Sequence, residues 1–416
     1  MTTLTATSAP TGLIRWSVFA AMLAAAGLPI YIHAPKVYAE AHGLGLAALG
    51  VVLAALRLVD VVQDPMLGWL AERTRAWRGA MVAGAVAVMA AAMLGLFAVA
   101  PPIAPLMWFA LMLLALFTAW SFLTIVFYAE GVAKAGTLGP TGHLRLAGWR
   151  EAGTLLGVSA AAVAPVVLAG LGAAPFAMFA AGFAALALLA LLGMRSQWQG
   201  GAAPPTGFVP LLRVPALRRL LGLALVNATP AAVTSTLFLF FVESRLEAPG
   251  AEGPLLLLFF LSAAVSAPVW SRLAARIGAK QALLQGMVLA TGAFVFALFL
   301  GPGDMFLFAL ICLASGAAMG ADLVLLPALF ARELARQGRG EAAGFALWGF
   351  VSKLSLSLAA LVLLPLLASQ GFAPGQPAPP AALLLLTLLY AGLPCLLKLA
   401  AIALLLRLDL PELTDD

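Results

Sequence analysis

Charged side chains are scarce in this sequence. Lys, Arg, Asp and Glu make up 10% of the 416 residues, while apolar residues make up 63%. A soluble domain carries about 25% charged and about 45–50% apolar residues. So small a polar complement cannot cover a water-facing surface, which excludes a soluble enzyme, a disordered regulator and a secreted disulfide scaffold. Cysteine is almost absent. Cys312 and Cys395 both lie in apolar runs and read as small core residues, not as disulfide or metal partners. No nucleotide-binding loop, zinc motif or nucleophile elbow occurs, so no enzyme activity is expected. The net charge of +6 is the surplus of a protein with basic inner loops and gives no reason to expect nucleic acid as a partner. What the chain has in abundance is long apolar runs, repeated from end to end. Only a polytopic membrane protein fits.

A helix needs about 20 apolar residues to cross the hydrocarbon core. Twelve such runs are present, at roughly 13–37, 44–70, 79–100, 103–130, 147–170, 174–194, 218–242, 254–275, 280–300, 304–331, 342–368 and 380–406. The first run follows Arg15 and mimics a signal peptide, but no soluble mature domain comes after it, so it reads as a true span. With the N-terminus inside, the inner loops take nearly every loop Arg and Lys, and the outer loops keep only Lys36 and Arg245. Both termini are therefore expected to be cytoplasmic, in the plasma membrane (a bacterial inner membrane). The polar stretch 195–217, with Gly200, Gly201, Pro204 and Pro205, reads as a linker. It gives an N-terminal six-helix unit over 1–196, a cytoplasmic linker over 197–217 and a C-terminal six-helix unit over 218–416.

The halves align weakly at one offset of 203 residues. Pro65, Leu70, Ala71 and Arg73 fall on Pro268, Leu273, Ala274 and Arg276; Phe127 and Glu130 fall on Phe330 and Glu333; Arg150 falls on Lys353. Parallel six-span repeats resemble the plan of the major facilitator superfamily, with a substrate site near the midplane between the halves. The expected fold class is thus all-α, with twelve transmembrane helices in two six-helix bundles. Asp60 and Asp64 break the repeat, since they fall on Ala263 and Ala267. Carboxylates needed by one half only point to function.

Arg57, Asp60 and Asp64 stand three and four residues apart, which puts them on one helical stripe. A charge at membrane depth costs at least about 2.5–3.5 kcal/mol to insert, so three in one span need partners or a purpose. Two neighbouring carboxylates suit a small hard cation such as sodium, or a shared proton. The plainer reading is a salt bridge from Arg57 to one aspartate, which leaves the other unexplained.

The stretch Leu56 to Trp69 contains Arg-x-x-Asp-x-x-x-Asp-Pro-x-x-Gly, followed by a basic loop from Glu72 to Arg78. This resembles the span-2 signature of the melibiose-permease-like glycoside–pentoside–hexuronide:cation symporter family. Two further segments are similar to that family: Trp348 to Lys353 in span 11, and Arg145 to Gly157 opening span 5, with Arg150 and Glu151. The resemblance implies a cation site of Asp60, Asp64, Gln63 and Thr118, with Gln63 standing where a sodium-using relative has asparagine. It implies cation-coupled symport, with Na+ or H+ as the coupling ion and no other cofactor. The carboxylates that grip galactosides in spans 1 and 4 are missing, their places taken by Ala24 and Ser121. Tyr31 is kept as a family-like aromatic, and the family's Ala-Asp-x-x-Asp in span 10 is reduced to Ala321-Asp322.

The residues left at the presumed centre are basic and aromatic. Tyr31, Trp120, Ser121, Tyr128, Arg150, Trp348 and Lys353 are the candidate substrate contacts, and Arg57, Glu130, Glu151 and Asp322 the candidate charge network or gate. Arg150 and Lys353 could together hold a carboxylate or phosphate, or could serve as gate or cation-site residues. Elsewhere, His33 reads as a packing residue, Lys36 and Glu40 as outer-interface residues, and Lys398 as a side chain that snorkels from span 12. The sequon at Asn227 lies inside span 7 and is discounted. Gly316 and Gly320 in span 10 read as a close-packing face. The expected function is symport of a small polar, even anionic, solute of the sugar or hexuronide class, by a monomer whose partners are that solute and membrane lipid. A lysolipid-type or other amphipathic substrate is the alternative within this fold. A non-transporting receptor or assembly factor is the alternative outside it, and would have no use for the Asp60–Asp64 pair.

Overall fold

The computed structural model describes residues 11–27, 34–35, 37–39, 41–170, 174–198, 207–338, 340–372 and 378–408, without the side chains of residues 11, 46, 47, 57, 61, 166 and 360. The described residues are helical, with no strand among them. The first half comprises α1 (Thr11–Ala25), α2 (Leu46–Arg73), α3 (Arg78–Phe97), α4 (Pro105–Gly136), α5 (Gly142–Ala169) and α6 (Pro175–Met194). The second comprises α7 (Pro215–Phe240), α8 (Glu252–Ile277), α9 (Ala279–Phe294), α10 (Met305–Gln337), α11 (Glu341–Ser369) and α12 (Pro380–Leu406). The twelve helices fall on the twelve runs, and the chain is a multi-pass membrane protein of the all-α class. In the first run the continuous described helix ends at Ala25, and the described residues 34, 35 and 37 are helical as well. Helix α5 starts at Gly142, before the apolar run, because a membrane helix need not stop at the hydrocarbon boundary once its backbone bonds continue unbroken into the polar end.

Local sequence explains most of the ends. Proline opens α4, α6 and α7 at the first turn, where its missing N–H has no helical partner to lose. Gly338, at φ 55°, closes α10 in the left-handed conformation. Two π turns interrupt the second half. Phe241–Arg245 extends α7, and Leu388–Gly392 lies within α12. They meet where the Phe241 and Tyr390 rings stack with centroids 4.1 Å apart.

Within each half, glycine permits close contact. A side chain at Gly153 or Gly157 of α5 would strike the α1 backbone at Ser17 and Ala21. Gly316 and Gly320 of α10 lie against the α8 backbone at Phe259 and Ala263, as the small-residue spacing suggests. Cys312 and Cys395 are buried and unpaired, in keeping with core residues.

Between the halves, α2 packs on α11, α5 on α8, and α4 on α11. The described contacts gather at the end that carries the basic loops. Gly68 abuts Ala346, the Ala343 amide donates to Glu72 at 3.3 Å, and Ser271 donates to the Leu144 carbonyl at 2.9 Å.

Candidate functional site

Span 2 places two carboxylates one turn apart on α2, and α11 supplies the charge that meets them. The Lys353 ammonium lies 2.9 Å from Asp60 Oδ1 and 2.8 Å from Asp64 Oδ1, and donates to Ser121 Oγ on α4 at 2.6 Å. Ser121 in turn donates to Asp60 Oδ1 at 3.1 Å. A second chain reaches the same oxygen: Thr118 donates to Gln63 Oε1 at 2.9 Å, and Gln63 Nε2 donates to Asp60 Oδ1 at 2.8 Å. Asp64 is 1% exposed. Burial of this kind demands full compensation, and the ammonium supplies it. The four residues implied as a cation site by the resemblance thus form one connected cluster through Lys353.

The cluster has a tight lid. A Cβ at Gly349 would stand 2.8 Å from Asp64 Oδ2. Gly349→Ala is therefore expected to displace that carboxylate and weaken the Lys353 contact, an overpacking effect of about 1–3 kcal/mol. The change should register as a lower midpoint of thermal unfolding of the purified protein. An unchanged midpoint would show that Asp64 has room to move.

Two cavities adjoin this cluster. The smaller, about 180 Å³, is lined by Asp64, Trp120, Ser121, Thr124, Tyr128 and Lys353 among others. Lys353 stands 5.5 Å above the Trp120 ring, and the buried Thr124 hydroxyl has no hydrogen-bond partner. The larger, about 460 Å³, is formed mainly by the second half, with Tyr128 and Glu151 from the first. Tyr128, Trp348 and Ser352 line both.

The other expected site residues divide. Arg150 donates to Glu151 at 2.9 Å and stacks 3.7 Å from the centre of the Tyr128 ring, while the Tyr128 hydroxyl donates to Glu151 at 3.1 Å. Its Nη2 is buried without a partner. Arg150 and Lys353 thus belong to separate clusters. Ser121, expected to touch substrate, is tied into the ion cluster while still facing the smaller cavity. Glu130 pairs with Arg78 at 2.7 Å, within the first half. Tyr31, His33, Lys36 and Glu40 lie outside the described residues, as does the side chain of Arg57.

One expectation is corrected. Lys398 does not snorkel. It is 5% exposed, donates to Asn227 Oδ1 at 2.7 Å and is ion-paired with Asp322. Its ammonium turns inward because α7 and α10 offer acceptors that lipid lacks. Asp322 accordingly belongs to this second polar cluster. A lysine deep in an apolar run was visible from the sequence. Its partners were not, because Asn227 attracted notice only as a discounted sequon.

The family model for MFS/sugar transport proteins matches residues 16–412. The chain belongs to the MFS/sugar transport protein family. It is a membrane transporter and not an enzyme, as the span-2 resemblance implied. Curated protein sequences give no match. Among solved structures, it is similar to a bacterial homologue of the iron transporter ferroportin in an outward-facing state. That match has a TM-score of 0.70 and 14% identity, and covers 95% of this chain and 98% of the other. It is also similar to the human organic anion transporter MFSD10, with a TM-score of 0.60, 17% identity, and 93% and 98% coverage. At these identities the likeness extends to the fold.

Proposed function

We propose that this transporter is a cation-coupled symporter, driven by Na+ or H+, for a small polar solute of the sugar or hexuronide class. The observation that carries this reading is the seating of Lys353 between Asp60 and Asp64. The lysine comes from α11 and the carboxylates from α2, so the ion cluster bridges the two halves. A cation or proton arriving at the carboxylates competes with Lys353 and loosens that bridge. Alternating access follows as rocking of the N-terminal and C-terminal six-helix units, over 1–196 and 218–416, about the site between them. Contact at the basic-loop end then corresponds to closure on the cytoplasmic side, with both termini cytoplasmic. An anionic substrate group, as on a hexuronide, would meet Lys353 only after it leaves the carboxylates, so cation binding would come first.

The test is uptake into proteoliposomes with the sodium gradient and the pH gradient imposed separately. One of the two should drive accumulation of a panel sugar or uronate. Ser352→Cys, on the wall of both cavities, should change its labelling rate when that cation is added. Uptake indifferent to both gradients, with constant labelling, would overturn coupling.

A further inference from the structure

The second polar cluster lies in the half opposite the carboxylate pair. Lys398 of α12, Asp322 of α10 and Asn227 of α7 meet in the second half, where Lys398 is tied to both partners. Asn227 and Lys398 are 6% and 5% exposed. Lys398 takes only one carboxylate oxygen, Asp322 Oδ2. The other, Asp322 Oδ1, is buried and has no hydrogen-bond partner. Asp322 and Asn227 line the 460 Å³ cavity and also a smaller one of about 80 Å³ behind it, which Lys398 lines too.

A buried carboxylate oxygen without a donor leaves its desolvation uncompensated, so it persists where something else supplies the donor. The serine and threonine hydroxyls of the wall are engaged elsewhere. Thr234, Ser235, Ser315, Ser352 and Ser355 all line the cavity, and each donates its hydroxyl to a carbonyl of its own helix. Among the described residues, Asp322 Oδ1 is the one buried polar side-chain atom in that wall left unmatched. Lys398 and Asp322 cancel in charge, so the cluster calls for a donor without demanding a full positive charge. Around it, Phe238, Phe259, Phe260 and Phe294 supply an apolar surface. The volume lies within the range of small-molecule sites, about 300–1,000 Å³.

We propose that Asp322, held in place by Lys398 and Asn227, is a substrate-binding residue that accepts a hydrogen bond from a hydroxyl or N–H group of an uncharged, amphipathic solute whose apolar part lies along the phenylalanine wall. This rests on the transport reading above and narrows its solute to an uncharged member of the sugar class, in place of a hexuronide. It assigns substrate recognition to the second half and cation binding to the first. Asp322 is then more than a gate residue, and Lys398 is the positioning residue that fixes which carboxylate oxygen is offered.

The experiment uses full-length protein in lipid nanodiscs and equilibrium binding without any gradient. Three probes share one aromatic group: p-nitrophenyl β-glucoside, its tetra-O-methyl ether, which has no donor, and p-nitrophenyl β-glucuronide, which is anionic. The glucoside is expected to bind at least about tenfold tighter than the methyl ether, a difference of about 1.4 kcal/mol. Asp322→Asn with Lys398→Gln keeps the buried pair neutral and similar in size, which guards the fold. This double variant should bring glucoside and methyl ether to within about twofold, because the amide is a weaker acceptor and its orientation is no longer fixed by an ammonium. The single change Lys398→Met should reduce the same discrimination. Sodium- or pH-dependent thermal stabilisation, which belongs to Asp60 and Asp64, should persist in the double variant. If wild type binds neither glucoside nor methyl ether, prefers the glucuronide, or does not discriminate against the methyl ether, the proposal is overturned. Discrimination that survives in the double variant overturns it as well, and leaves Asp322 Oδ1 to water. If instead the glucoside results hold while wild type shows no response to sodium or pH, coupling fails and the Asp322 site stands.

Discussion

Asp60→Asn and Asp64→Asn should each abolish gradient-driven uptake, with a fall of at least about a hundredfold, or about 2.8 kcal/mol at tenfold per 1.4 kcal/mol. Each substitution removes one of the two negative charges that hold Lys353. One carboxylate then remains for one ammonium, and nothing draws a second cation into the cluster. Asp60 also anchors the chain from Thr118 through Gln63, so its loss should disturb that amide as well. Protein abundance should fall less than uptake, because a neutral amide is cheaper to insert than a charge. Uptake in proteoliposomes, normalised to reconstituted protein, reads the effect. Undiminished driven uptake in both variants would remove the pair from the coupling step.

Lys353→Ala should do two opposite things. Removing one partner of a buried ion pair costs about 3–5 kcal/mol when burial is complete, and Lys353 at 18% exposure should fall near the lower end. The empty-site protein should therefore unfold at lower temperature. The same change removes the internal competitor for Asp60 and Asp64, so the coupling cation should bind at least about tenfold tighter, about 1.4 kcal/mol. Saturating cation should restore much of the lost stability, since a ligand at a hundred times its Kd contributes about 2.7 kcal/mol. Thermal unfolding followed across a sodium series and a pH series separates the two effects. A variant that is less stable at every cation concentration, with unchanged cation affinity, would make Lys353 a structural strut and not a competitor.

Apolar run length and spacing determined the membrane class and the twelve helices, because a backbone in lipid must satisfy its hydrogen bonds within each segment. Helical period alone put Asp60 and Asp64 on one face of α2, and the Arg-x-x-Asp-x-x-x-Asp-Pro pattern pointed to the family that the match over 16–412 identifies. Those features are local, and a sequence carries local geometry directly. The partners of the buried charges are not local. Lys353 meets Asp64 across 289 residues and Lys398 meets Asn227 across 171, through the packing of α11 on α2 and α12 on α7. A lysine near the end of an apolar helix can reach water or turn inward, and its own neighbours in sequence are the same in both cases. The choice belongs to the facing helices, which decide whether an acceptor is within reach. Tertiary structure therefore set Lys353 on the carboxylate pair and apart from Arg150, and drew Lys398 inward to Asp322.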